Sequence, residues 1–292
     1  MNTTVTPPPP APASSPAPAT PPRSGGPGKP VAIILIVIGA LLLLGTIAGA
    51  IRSTVAAATR VTDTLTAEVS GVSSLDVQAD AAQFRIEFAD VEEATLEITD
   101  SQSEWTIRRD GDELRVSSRD GLLDGWGRWD GPRWGWGWGR DEERVVLTLP
   151  ESLEGVDARL AVSAGALDSD GSFGALELEL GAGSLDVRGS AESLAADINA
   201  GAARIALAEV GEAQFTLAAG RLEAELTGAQ PELVDIGVSA GSLDLTLPAG
   251  EYDVQEDISA GAIDNRLETA SASEHQVAVD IAAGHVSLRS AG

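Results

Sequence analysis

The C-terminal half of the chain alternates apolar and polar residues. Leu176-Glu-Leu178-Glu-Leu180 and Leu243-Asp-Leu245-Thr-Leu247 are apolar at every second position, the period of a strand with one buried face. An amphipathic helix would need apolar residues at steps of three and four, which these runs lack. The alternation breaks at a recurring Ala-Gly pair. Aligning the pairs puts Gly165, Gly183, Gly201, Gly220, Gly241, Gly261 and Gly284 in one column, at successive spacings of 18, 18, 19, 21, 20 and 23 residues. Alanine precedes the glycine each time, and a branched aliphatic stands three before it: Val162, Leu180, Ile198, Leu217, Val238, Ile258 and Ile281. Two after it come Leu167, Leu185, Ala203, Leu222, Leu243, Ile263 and Val286. A near-constant period of this length marks a stacked repeat.

Parity turns these columns into a conformation. Residues an even number apart share a face of a strand, and the two aliphatic columns are five apart. Both face inward only if the chain bends between them, at the Ala-Gly pair, where glycine tolerates positive φ. Each repeat therefore reads as strand, corner, strand. The expected fold is all-β: a single-stranded β-solenoid of about seven regular coils over 161–292. Stacked coils put like residues in ladders about 4.8 Å apart.

The remaining chain divides by composition. Residues 1–30 hold 11 of the 15 prolines and read as a Pro-rich disordered tail. Val31–Ile51 carries no charge over 21 residues, long enough for one transmembrane helix. A cleaved signal peptide is the rival reading, but its apolar core is usually only about 7–15 residues. Residues 52–70 read as a stalk, and 71–160 as irregular N-terminal β coils. There Val77, Ala82 and Phe84 can be laid on the repeat with alanine in the glycine column, and Asp110-Gly111 signals a hairpin.

Charge and cysteine count exclude whole classes of function. With no cysteine, disulfides, zinc-thiolate sites and thiol catalysis are out. Beyond Arg52 there are 16 basic and 45 acidic residues, a net of −29. So negative a domain is a poor partner for nucleic acid or anionic lipid.

Four constellations could carry chemistry. The insert 122–140 concentrates Trp126, Trp129, Trp134, Trp136 and Trp138 among glycines and arginines. It reads as a cap over the coils or as an aromatic interaction surface for glycan or lipid. Gly237-Val-Ser239-Ala-Gly241 matches a hydrolase nucleophile elbow, with Asp244 and His275 following in order, but the strand-turn-helix setting is missing. His275 and His285 are the only histidines and come without further ligands. Asp168, Asp186, Glu223, Asp244 and Asp264 form an acidic ladder three after the glycine, interrupted by Arg204. Calcium is the one ion weighed for it; otherwise no catalytic residue, cofactor or metal is assigned.

The phrase V-S-A-G-x-L-D, in Val162–Asp168, Val238–Asp244 and Ile258–Asp264, resembles the bacterial β-strand-repeat "putative adhesin" family of unknown function. Leu245-Thr-Leu-Pro-Ala-Gly250 and Leu147-Thr-Leu-Pro150 look like the same family, and the resemblance covers roughly Leu75–Leu288. It implies a right-handed β-helix in a membrane-anchored envelope protein, with no catalytic residues to carry over. Some relatives are joined to envelope-stress membrane proteins, whose membrane domain this sequence lacks. The expected function is therefore non-enzymatic. The expected protein is a single-pass cell-membrane protein with an extracytoplasmic, adhesin-like or scaffold surface for cell-wall glycan, lipid or another envelope protein. Envelope-stress sensing and a polysaccharide-active β-helix enzyme are the alternatives.

Overall fold

A computed structural model describes residues 61–101, 103–119 and 143–291. The tail 1–30, the span 31–51 and the five tryptophans of the insert lie outside the described residues. What is described is all-β, with a single 3-10 turn at Glu151–Leu153 and no α-helix. No helix among the described residues is long and apolar enough to cross a membrane.

The repeats pair with one another in parallel and in register. Strand β7 runs without interruption through Asp157–Ala208, followed by β8 (Glu212–Thr227) and β9 (Leu233–Leu247). Gly201 lies opposite Gly220, and Gly220 opposite Gly241. Within β7 the file continues, because Gly183 rests on the backbone of Gly165 and Gly201 on that of Gly183. Ahead of β7, strand β2 (Ser74–Ala89) places Ala82 opposite Gly165, Val77 opposite Leu160 and Phe84 opposite Leu167. The alanine-for-glycine alignment expected from sequence is therefore found. The glycine column is a steric requirement: a Cβ on Gly183 would sit 1.9 Å from the carbonyl oxygen of Gly165, and its φ is +128°. Only a residue without a side chain fits such a corner against a neighbour one strand away.

Six columns face the core, not only the two nearest the corner. In β8 the buried residues before Gly220 are Ala213, Phe215 and Leu217, and those after it are Leu222, Ala224 and Leu226. Odd offsets point inward before the glycine and even offsets after it, so the corner reverses the parity and keeps both arms amphipathic.

Near the N-terminal end the pairing turns mixed. β2 is flanked on its other side by β5 (Glu113–Arg119) and β6 (Arg144–Pro150), both parallel to it. Outside them lie antiparallel strands: β4 (Glu104–Asp110) on β5, and β3 (Ala94–Ser101) on β6, with β1 (Val61–Ala67) on β3. β1 thus draws part of the expected stalk into the sheet. The Asp110-Gly111 hairpin forms, with Asp110 opposite Glu113 and Gly111 at φ +68°. Ser117 lies opposite Gln78 and Arg144 opposite Gln83. β5 therefore ends and β6 begins where β2 makes its corner, at Ala79–Ala82. Beside those strand ends Trp105 is buried, stacks on Phe84 at 5.5 Å, and gives its indole N–H to Glu143.

The distal layers do not follow chain order. β13 (Gln276–Ile281) and β14 (Gly284–Ser290) pair directly with β9. The earlier segment, β10 (Glu251–Ile258) and β11 (Gly261–Asn265), pairs on the far side of them, and the short β12 (Glu268–Thr269) adds to β10. The later layer is intercalated. Side-chain chemistry explains why: Val277, Val279, Ile281, Val286 and Leu288 fill the inward positions of β13 and β14 and are all buried. The matching positions of the outer layer include Glu256 and Asn265, which hydrogen-bond to each other at 3.1 Å. Stacking in chain order would bury the Glu256 carboxylate between Ile236 and Val279, at a cost of several kcal/mol. It would also leave the five aliphatics at the open end, at roughly 1.5–3 kcal/mol each.

Candidate functional site

Each layer also presents two outward faces. Residues one, three and five after the glycine form one face, and those two, four and six before it form the other. The acidic ladder predicted from sequence lies on the first, and every member has an arginine partner. Arg85 pairs with Asp168 at 3.4 Å, Arg188 with Asp186 at 2.7 Å, and Arg204 with Glu223 at 3.0 Å. Arg289 pairs with Asp244 at 3.2 Å and Arg266 with Asp264 at 2.7 Å. The hydrogen bond from Arg266 holds the Asp264 carboxyl below its ordinary range, against a smaller opposing effect of desolvation. These pairs are exposed and contribute little stability, but they neutralise the ladder. Among the described residues no group of three or more His, Asp or Glu is placed to hold a metal ion.

The other face behaves differently. Arg159 bridges Glu177 at 2.9 Å and Glu179 at 3.0 Å, and past that bridge no arginine stands on it. Asp197, Asp235, Asp280 and Asp257 have no ion-pair partner among the described residues. Desolvation, and then the neighbouring Glu179, raise the Asp197 carboxyl above its ordinary range.

Along the margin of this face runs an open groove of about 640 Å³. It is lined by the opening residues of successive layers: Glu113 and Arg115, Ser74–Asp76, Asp157–Arg159, Ala175–Glu177, Ser193–Ala195, Glu212–Gln214 and Leu233. Because these are ladder neighbours, the groove crosses the strands and follows the stacking direction. At a strand spacing of about 4.8 Å, seven layers span on the order of 30 Å. Its apolar surface comes from Ala175, Ala195 and Leu233, all exposed, while Leu176, Leu194 and Ala213 turn into the core beneath it.

Polar groups at one end of the groove are committed to each other. Arg115 reaches Glu113 at 2.6 Å and Asp76 at 3.2 Å, and its pKa is raised chiefly by the hydrogen bond to Glu113. Asp157 accepts the backbone N–H of Ala175 at 2.8 Å. Toward the other end Ser193, Glu212 and Gln214 have no such partners among the described residues, and Ala195 keeps that stretch open. Sequence reading singled out none of these. The signal was present but needed the register: the groove joins residues from seven segments, six of them aligned from eight residues before the corner.

The remaining sequence candidates do not converge. Ser239 sits within β9 with no helix after it, Asp244 is held by Arg289, and the ring of His275 meets the Pro231 carbonyl through Nδ1 at 2.9 Å and packs edge-on to Tyr252. His285 is exposed on β14, opposite Ser242 and Ala262.

No family model matches the chain, and no curated protein matches it. Among solved structures, it is similar to a "putative cell adhesion protein" from Clostridium sporogenes, with 13% identity and a TM-score of 0.33 over 80% of this chain and 100% of that one. It is similar also to a "putative adhesin" from Bacteroides fragilis, with 12% identity and a TM-score of 0.32 over 79% of this chain and 98% of that one. Likeness at this level carries no functional weight.

Proposed function

We propose that this chain is a membrane-anchored, extracytoplasmic β-solenoid that works by presenting surface, as an adhesin-like or scaffold module of a bacterial envelope, without catalysis. Val31–Ile51 is the anchor in this reading, and the corner-by-corner file of small residues is the axis of the coils. The observation that carries it is the in-register stack itself. From Ala82 to Gly261 the glycine column holds its place, so outward side chains repeat at fixed spacing over two long, different faces. A rigid periodic surface suits contact with an extended partner rather than with one reacting atom. In this reading the insert bearing Trp126, Trp129, Trp134, Trp136 and Trp138 contributes an aromatic part of the contact surface.

The absence of native cysteine makes the test direct. Ser271→Cys places a single thiol on an exposed turn. In intact cells it should react with a membrane-impermeant maleimide, and labelling only after lysis would place the domain on the wrong side. Full-length protein should also be retained on isolated envelopes; a wild-type chain that washes off removes the adhesin-like reading.

A further inference from the structure

The groove allows the partner class to be narrowed, on the premise that the envelope-surface reading above holds. We propose that it binds a linear, uncharged polysaccharide strand laid along the stacking direction, with Ser193, Glu212 and Gln214 as its hydrogen-bonding residues.

Shape gives the first part of the argument. The groove is open at its side, crosses seven layers and repeats at the strand spacing, so it fits a thin polymer better than a compact ligand. Chemistry gives the second. Its arginines are already spent, Arg115 on Glu113 and Asp76, and Arg159 on Glu177 and Glu179. An anionic polymer would therefore meet no free cation in the groove and would approach a chain of net charge −26; the field repels it. What is left uncommitted at that end is a hydroxyl, a carboxylate and an amide beside the exposed Ala195 and Leu233. A sugar ring offers the complement: C–H groups for those apolar side chains, and adjacent hydroxyls that donate to Glu212 and exchange hydrogen bonds with the Gln214 amide. A few placed polar groups over apolar lining are the usual make-up of a binding cleft. A basic extended peptide is the rival occupant, because unpaired acids lie on the adjoining face. The polar stretch of the groove itself, however, holds one carboxylate rather than a row of them.

The test uses the full-length chain and four probes: cello-oligosaccharides, chito-oligosaccharides, polygalacturonate and oligolysine. The neutral oligosaccharides should bind, with affinity almost independent of salt, while polygalacturonate does not. Ala195→Trp, which fills the groove from an exposed position, should abolish binding. Glu212→Gln and Gln214→Ala should each weaken it about ten-fold, the usual effect of one lost hydrogen bond in a binding site. Glu223→Gln, on the opposite face, should change nothing, and all variants should keep the wild-type circular dichroism. Failure of both neutral probes overturns the proposal, as does unchanged binding by Ala195→Trp. Oligolysine binding that depends on the same residues and falls steeply with salt overturns it in favour of the basic peptide. Envelope retention separates the two levels: it comes from the anchor, so a retained chain whose groove binds no neutral probe sinks the groove alone, whereas loss of wild-type retention sinks the surface reading even if oligosaccharides bind.

Discussion

Chemically identical residues differ here by position in the layer. Gly201 has φ +128°, and a Cβ there would lie 2.1 Å from the Gly183 carbonyl oxygen, whereas one on Gly237 would meet nothing within 4 Å. Gly201→Ala should therefore cost more than about 3 kcal/mol or prevent folding, since a backbone clash joins a strained φ. Gly237→Ala should stay within about 0.5 kcal/mol of wild type or stabilise slightly. Urea melts of the two variants check this, and equal effects would show that the file of glycines does not bear on its neighbours. Asp197 gives a pH prediction. Its folded pKa is raised, first by desolvation and then by Glu179, so the folded state holds a proton that the unfolded state has released. Stability must then fall as pH rises through the window between the unfolded and folded values, and stay lower above it. Asp197→Asn should melt higher than wild type at neutral pH, with the gain shrinking in acid. A gain that grew in acid would mean the carboxylate is stabilised by its surroundings.

Among elements, the outer distal layer decides how the stack ends. Among the described residues its edge is open apart from Glu251 and Tyr252, which β12 covers, and open edges invite pairing with other chains. Glu256 and Asn265 put polar groups where other layers carry aliphatics, while Asp253 and Asp257 add charge on the same strand. Glu256→Leu combined with Asn265→Leu should leave the monomer folded and make it associate with concentration, seen by light scattering. A double variant that stays monomeric at high concentration would show that the strand edge is protected by other means. The intercalated layer makes the opposite prediction. Val279 and Leu288 are buried between two layers, so Leu288→Ala should cost about 2–5 kcal/mol, far more than a terminal strand would show. A cost below about 1 kcal/mol would mean the intercalated layer frays like an end.

Taken as a whole, the molecule separates charge between its faces. One is neutralised by arginine pairs, three of which cross layers, and the other is left acidic beyond Arg159. If those pairs serve the ladder in place of a cation, millimolar calcium or a chelator should leave the melting temperature unchanged. A calcium-dependent rise of several degrees would show that metal competes successfully for those carboxylates.

The stacked repeat was legible because its cause is local: period two, a bend every 18 to 23 residues, and glycine where no side chain fits. Ala82 in the glycine column and the Asp110-Gly111 hairpin could be read for the same reason, and the pairing bears both out. Only two of six inward columns were visible, since the outer four change residue type from layer to layer and become columns only when the strands are laid side by side. The partnering of the acidic ladder was hidden too, because Arg188, Arg266 and Arg289 sit two positions beyond the acidic column and meet their acids through side-chain reach. So was the groove, whose residues come from segments up to 159 positions apart in the chain, from Ser74 to Leu233.

Sequence alone determined the all-β class and the place of each corner, because backbone sterics and alternation act within one repeat. Tertiary structure decided the order of the distal layers, since the same phrase can stack on either neighbour. The choice goes to the arrangement that keeps Glu256 at the water boundary and Val277, Val279 and Ile281 away from it.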